Sequence, residues 1–242
     1  MLHSVDSVRL SYQHKKRKAR RPVAKRKQAV SFRSVIGWFR FETDLWGIGI
    51  FYLPEQDVLF FMSPIGAPAA GCILQEVQYL GDVKNFIYFG SCGLIGDISG
   101  DKVIVPTESY RDEGFSYHYA PPSDYIAIEN HDLVQKMLTR HNIPCVSGRS
   151  WTTDAIYMET DNKVRQRRED GCLCVEMESS ALQAVSSYLG VNLYIFFISG
   201  DTVGDEWDRA DLGGHRERDK QLFAFEAALL IADELAAGKA VN

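Results

Sequence analysis

Three short segments carry the residues best suited to chemistry. Val175-Glu176-Met177-Glu178 sits where an apolar strand pattern passes into an amphipathic helix pattern, and two carboxylates at such a junction are expensive to bury unless something uses them. A carboxylate there can accept hydrogen bonds from vicinal sugar hydroxyls, or Glu178 can be a helix N-terminal residue favoured by the dipole. Asp201 follows the apolar run Tyr194–Ile198 through Ser199-Gly200. At a strand's carboxyl end a partly desolvated carboxyl group can donate a proton near neutral pH, although an Asx turn or an N-cap uses the same residue type. Gly90-Ser91-Cys92-Gly93-Leu94-Ile95-Gly96 reads as a tight turn after a strand at 85–89. Its glycine spacing is not that of the dinucleotide fingerprint, and a strand pattern, not a helix, follows it. The backbone N–H groups around Gly90 and the Ser91 hydroxyl can instead face a small anion or a sugar hydroxyl.

Two further segments are dense in aromatic and polar groups, Arg111 to Tyr119 and Trp151 to Thr160. Read as loops, they offer walls on which a planar ligand stacks while a few polar groups fix its edge, or they are interface and core aromatics. His118 and His215 match no metal-ligand spacing, so no metal is expected. The acids Asp201, Asp205, Glu206, Asp208 and Asp211 lack the order of a calcium loop. There is no nucleophile elbow and no phosphate-binding P-loop.

The elements that must position these groups follow from the apolar pattern. Residues 45–53, 58–65, 85–89, 102–105, 145–148, 172–175 and 192–199 read as strands, several of them apolar on both faces. Residues 69–80, 132–141, 161–169, 178–189 and 216–237 read as helices. Alternation of the two to the C-terminus predicts an α/β domain with a mostly parallel sheet covered on both sides. In that architecture ligands bind at the carboxyl ends of the strands, where Glu176, Asp201 and the Gly90 segment all fall.

The chain has 242 residues, 45% hydrophobic and 24% charged, which excludes a wholly disordered, collagenous or small disulfide-stapled protein. Five cysteines, with Cys172-x-Cys174 at the wrong spacing for a zinc knuckle or redox pair, read as reduced and structural. No apolar run is long enough to span a membrane and no signal-peptide pattern is present, so a cytoplasmic protein is expected. Residues 1–27 hold ten Lys or Arg against one acid, while the remaining 215 residues hold 17 bases and 31 acids. Residues 1–40 are read as a basic leader expected to be poorly ordered, and 41–242 as one catalytic domain. Nucleic-acid binding by the leader is weighed against a solvated tail, and the tail is favoured because aromatic interleaving is limited to Tyr12.

These segments, in this order, resemble the nucleoside phosphorylase superfamily, most closely its uridine phosphorylase-like branch. Arg111 to Pro121 is similar to that branch's R-x-[DE]-G-x-S-x-H-[FY]-x-P stretch, and Val175 to Ala181 to the family's V-E-M-E-x-x-A ribose motif. The resemblance implies a three-layer α/β/α domain with a mixed, mostly parallel central sheet, acting on the N-glycosidic bond of a nucleoside. It implies Glu178 as acceptor from the ribose 2′-hydroxyl, Met177 packing under the sugar and Glu176 beside it. Asp201 falls where purine-specific relatives protonate the departing base, and His118, Tyr157 and Glu159 fall on the base or 5′ side. Inorganic phosphate is the implied co-substrate, held by Gly90, Ser91 and, within this chain, Arg111, with no other cofactor. A homodimer or a ring of dimers is implied as well. One departure stands out, because the family's phosphate-binding arginine two residues before the glycine is here Tyr88. Without that fork phosphate loses bidentate bonds, so three outcomes stay open: phosphorolysis, hydrolysis by water, and nucleoside binding without turnover. Arg33 and Arg40 are the other basic residues considered for the anion.

Overall fold

Apolar runs and amphipathic stretches alternate along the chain, and nearly every one becomes an element. The structure, a computed structural model, describes residues 39–42, 49–95, 98, 101–203, 207–208 and 215–238. The leader up to residue 38 and the acids Asp205, Glu206 and Asp211 lie outside the described residues. Strands β1 (Phe39–Glu42), β2 (Gly49–Leu53) and β3 (Val58–Phe61) precede helix α1 (Ala67–Gly81). Then come β4 (Asn85–Leu94), β5 (Val103–Asp112), β6 (Tyr125–Ala127), α2 (His131–Arg140) and β7 (Cys145–Thr153). After α3 (Asp161–Glu169) and β8 (Cys172–Glu176) follow α4 (Ser179–Leu189), β9 (Asn192–Val203), β10 (Trp207–Asp208) and α5 (His215–Ala236). Short 3-10 turns at Ser116–His118 and Ile156–Met158 interrupt the connections after β5 and β7.

The fold is mixed α/β. Seven strands form one sheet in the order β10-β9-β4-β8-β7-β5-β6, with a further contact between β9 and β5. Its three long pairings, β4 with β9, β5 with β7 and β7 with β8, are parallel, and the short ones are antiparallel. A separate antiparallel sheet, β1-β2-β3, was not expected from the sequence, and β1 begins inside the stretch assigned to the leader.

Alternation along β9 explains how helices cover the large sheet. Leu193, Ile195 and Phe197 join one core cluster with Ala70, Leu74 and Val77 of α1 and Leu182 and Val185 of α4. Tyr194, Phe196 and Ile198 join another with Val134, Met137 and Leu138 of α2 and Ala224, Ala227 and Ile231 of α5. A strand's period of two sends successive side chains to opposite faces, so one apolar run fills both clusters. Among the described residues, no helix is long and apolar enough to cross a membrane.

One expectation needs correction here. The stretch from Gly90 does not turn at once: β4 stays extended through Leu94, because it has ladder partners on both edges, β9 on one and β8 on the other. Trp151–Thr153 and Arg111-Asp112, read as loop, likewise extend β7 and β5. Each strand therefore carries its candidate residues on rigid backbone.

Phe196 is fully buried and stacks on Phe89 with ring centroids 5.7 Å apart. Phe196→Ala is expected to lower unfolding free energy by about 3–5 kcal/mol, through lost burial and the cavity left behind. Tyr157→Ala, at a side chain 98% exposed, should stay within about 0.5 kcal/mol. Urea titrations of both variants check the contrast.

Candidate functional site

The acids singled out in the sequence converge where β4, β8 and β9 end. β4 and β9 run in parallel register up to Cys92 opposite Ser199; the register then slips by one residue, so that Gly93 faces Asp201. The residue absorbed by that bulge is Gly200. A side-chain carbon built on it would lie 3.0 Å from the Ser91 Cβ, and one on Gly93 would lie 3.2 Å from the Asp201 Oδ1. Only bare backbone at these two positions lets the Ser91 hydroxyl and the Asp201 carboxylate come so near the neighbouring strands. Ser91 is exposed and Asp201 half-buried, so both remain accessible.

Glu176 closes β8 and is buried, and both oxygens of its carboxylate have protein donors nearby. Its Oε1 accepts from the hydroxyls of Thr152 at 2.6 Å, Ser150 at 3.2 Å and Ser109 at 3.4 Å. Its Oε2 accepts the backbone N–H groups of Glu178 and Ser179, both at 2.7 Å. The second pair caps the start of α4, where unpaired amides and the helix dipole favour an anion. Burial, followed by the charge of Glu178, still pushes the Glu176 pKa up to about 7, against the pull of these donors. Glu176 is thus a buttress for the segment that carries Glu178.

Glu178 does not continue the strand; it is the N-cap residue of α4. Its Oε1 accepts the backbone N–H of Gly66 at 2.6 Å, and Gly66 is the N-cap of α1, with a proline in the first turn. Burial raises the Glu178 pKa, while the Gly66 N–H and then a hydrogen bond from Tyr88 draw it back down; the charge of Asp154 adds to the rise. Glu159, just after the second 3-10 turn, is half-buried, and burial together with the charge of Asp201 pushes its pKa up to about 7. The cluster thus combines a held carboxylate, a carboxyl group that changes charge near neutrality, and a strand-end aspartate. Such a set can accept from sugar hydroxyls and supply a proton.

The remaining candidates are placed differently. Met177 is half-buried, and His118 and Tyr157 are exposed on the two 3-10 turns. Arg111, expected at the phosphate, is bound within its own loop through two of its three guanidinium nitrogens. Its Nε donates to the Ser116 Oγ at 2.8 Å, and its Nη1 to the Pro121 carbonyl at 2.6 Å and the Ser123 Oγ at 3.0 Å. Its guanidinium also stacks 4.0 Å over the Tyr117 ring. Among the described residues its Nη2 is buried without a hydrogen-bond partner, so Nε and Nη1 tie down the loop while one nitrogen of the fork is left over. Arg33 lies outside the described residues, and Arg40 is described only as part of β1. Among the described residues, no group of three or more His, Cys, Asp or Glu is arranged to hold a metal ion.

Sequence reasoning missed five contributors. Ser109, Ser150 and Thr152 are buried hydroxyls on strands, and their only signal was polar residues in phase on otherwise apolar runs. Glu113 is buried, with the N–H groups of Phe115 and Ser116 on one oxygen and the Ser180 hydroxyl on the other. Ser180 also donates its N–H to Thr152, so the 113–123 loop is hydrogen-bonded through to the Glu176 cage. Gly66 was signalled by a glycine and proline opening a helix, but its partner 112 residues away was not.

Comparison with known proteins gives the family. Residues 36–230 match the phosphorylase superfamily. Curated relatives include DeoD-type purine nucleoside phosphorylases of Bacillus cereus, Bacillus thuringiensis and Bacillus mycoides. Each is 30% identical over 132 residues, which is 53% of this chain and 56% of the relative. The match thus spans a little over half the length of these relatives.

A carboxyl group that holds its proton to about pH 7 in the fold, against 4.5 ordinarily, leaves the native state binding more protons than the unfolded chain between those values. Its stabilising contribution is present at low pH and is lost as pH rises through 7. Glu176→Gln removes this titration and keeps an oxygen for the two amides, so its Tm relative to wild type should climb between about pH 5 and about pH 8. Calorimetry across that range checks it; a constant difference would mean that Glu176 is ionised throughout.

Proposed function

The chain belongs to the phosphorylase superfamily, and from that membership and the acids gathered at the strand ends we propose that it cleaves the N-glycosidic bond of a nucleoside by phosphorolysis. The observation that carries the reading is the Glu178 carboxylate, held at the start of α1 by the Gly66 N–H and placed just past β8, whose Val175 pairs with the Gly93 that faces Asp201. In this reading the domain spans residues 41–242 in the family's three-layer order. Glu178 accepts from the ribose 2′-hydroxyl, Met177 packs beneath the sugar, and Ser91 with the Gly90 backbone receives phosphate. His118, Tyr157 and Glu159 serve the base or 5′ side.

C1′–N cleavage passes through an oxocarbenium-like state. Bonds to the ribose hydroxyls that strengthen as the ring becomes cationic lower the barrier, as does a proton delivered to the leaving base. A phosphate oxygen forms the new bond to C1′ while the C1′–N pair leaves with the base, which Asp201 protonates; the products are ribose 1-phosphate and free base. The Arg111–Pro121 stretch resembles the uridine phosphorylase-like branch, whereas the relatives are named for purine nucleosides, so the substrate panel must hold both base classes.

A second reading has its own support. Tyr88 stands at the arginine position, and Arg111 gives its Nε and Nη1 to its own loop. Attack by water needs neither arginine and would yield free ribose.

Base release measured over a nucleoside panel, with and without phosphate, decides between them. Phosphate-dependent release with ribose 1-phosphate is expected; phosphate-independent release with free ribose gives hydrolysis, and no release leaves a binding protein. Glu178→Gln should lower kcat/KM by about 10²-fold or more, and Asp201→Asn should lower kcat by about 10²-fold or more. Wild-type kinetics in either variant would remove that residue from the mechanism. The assembly proposed is a homodimer or ring of dimers, and sedimentation as a monomer at micromolar protein would refute it.

A further inference from the structure

The loop between β5 and β6 is fastened to both of the helices whose first turns meet at Glu178. Glu113, buried at the head of this loop, accepts the N–H groups of Phe115 at 2.6 Å and Ser116 at 2.9 Å on its Oε2, and the Ser180 hydroxyl at 2.9 Å on its Oε1. Ser180 is the second residue of α4, two after Glu178. Its own N–H goes to the Thr152 hydroxyl at 3.1 Å, which in turn donates to Glu176. The first turn of α4 is thus held by two buried carboxylates, Glu176 through backbone amides and Glu113 through a side chain. Further along, the loop grips α1: the Phe115 ring lies against Gly71, where any side-chain carbon would collide with it, and the Gln75 Nε2 donates to the Tyr119 hydroxyl at 3.0 Å. Tyr119 also meets Tyr188 of α4 edge to face, with ring centroids 5.5 Å apart. Within the loop, Arg111 bonds Ser116 and Pro121, which stiffens it.

We propose that Glu113 is a positioning residue: through Ser180 it holds the first turn of α4 against α1, so that Glu178 stays on Gly66 and its remaining lone pairs stay aimed at the ribose hydroxyls. The proposal rests on the reading of Glu178 as the ribose acceptor. Where α1 and α4 share a core, Leu74 and Val77 meet Leu182 and Val185. Apolar contact of this kind is non-directional and does not by itself fix one helix along the other. Directional bonds from the loop supply what the packing leaves open, and the spacing they set is that of the Gly66 N–H and the Glu178 carboxylate, 2.6 Å. A sugar lacking the 2′-hydroxyl makes no bond to a ribose acceptor, so the precision of this spacing matters to ribonucleosides and not to 2′-deoxyribonucleosides.

Three variants of the full chain test it. Ser180→Ala removes one hydroxyl and cuts the link between loop and helix, and Glu113→Ala removes both ends of it. Glu113→Gln preserves the link, since its carbonyl oxygen can accept the two loop amides while its amide nitrogen donates to the Ser180 oxygen. Calorimetric affinity for a ribonucleoside should fall about tenfold in Ser180→Ala and Glu113→Ala and stay within about threefold of wild type in Glu113→Gln, with little change for the matching 2′-deoxyribonucleoside. On a Glu178→Gln background Ser180→Ala should leave the ribose-to-deoxyribose ratio unmoved, because the link acts through that carboxylate. Amide hydrogen exchange reads the same spacing without ligand: the Gly66 N–H should exchange about tenfold faster in Ser180→Ala, while the amides of Ile195 and Phe196 in β9 keep their wild-type rates. A general loss of stability would speed all three, so the contrast separates positioning from folding. If wild type binds no nucleoside, the ribose reading of the site falls and the proposal with it. If wild type binds and Ser180→Ala leaves the ratio unchanged, the proposal alone is overturned; unmoved exchange at Gly66 overturns it equally.

Discussion

A carboxylate taken out of water must find donors inside the protein, and Glu176 is where this fold meets that requirement. Its five donors come from β5, β7 and the start of α4. Each of those elements is held where a hydrogen bond to one side chain demands it. Unpaired, the group would cost several kcal/mol; capped, it joins the sheet to the helix that follows β8. The direction in which α4 leaves the sheet sets where Glu178 sits, so one buried carboxylate decides the position of the next.

Glu178 repeats the same physics at a second helix. Its partner, the Gly66 N–H, belongs to the exposed amides that begin α1, so the N-termini of α1 and α4 converge on two carboxylates two residues apart. Helix N-termini are favourable for anions, which offsets part of the repulsion between the two acids. Burial and then the repulsion that remains raise the Glu176 pKa, and burial and then the charge of Asp201 do the same to Glu159. A carboxyl group that changes charge near neutrality suits proton transfer to a leaving group, a use to which isolated surface carboxylates are poorly matched. The β4–β9 bulge is the backbone counterpart: one extra glycine re-aims the strand ends so that Ser91 and Asp201 share the same rim.

Most of the architecture was legible in the sequence because it rests on periodicity. The apolar run at 192–199, filling two cores at once, and the amphipathic stretch at 178–189 announce β9 and α4 without any tertiary information. Short strands such as β6 and β10 escape that reading, since three or two residues cannot show a period. Glycines at 90 and 93 signalled a turn but lie in a strand; at Gly93 close packing against Val175 and Val203 needs the bare backbone, and the signal for a bend and the signal for close packing are the same absent side chain.

By itself the sequence determined the alternation of strands and helices, the chemical types at the strand ends and the likeness to nucleoside-cleaving enzymes, all of them local in the chain. Tertiary structure alone decided the partners. Arg111 looked available and gives its Nε and Nη1 to Ser116, Pro121 and Ser123; Glu178 looked like part of a strand and instead caps α4 and holds Gly66; Glu176 looked like a sugar ligand and is enclosed by hydroxyls from other strands. The physical reason is that a hydrogen bond forms between groups close in space, often from elements far apart in sequence. A residue's type states what it can bond, and only the packed fold states what it does.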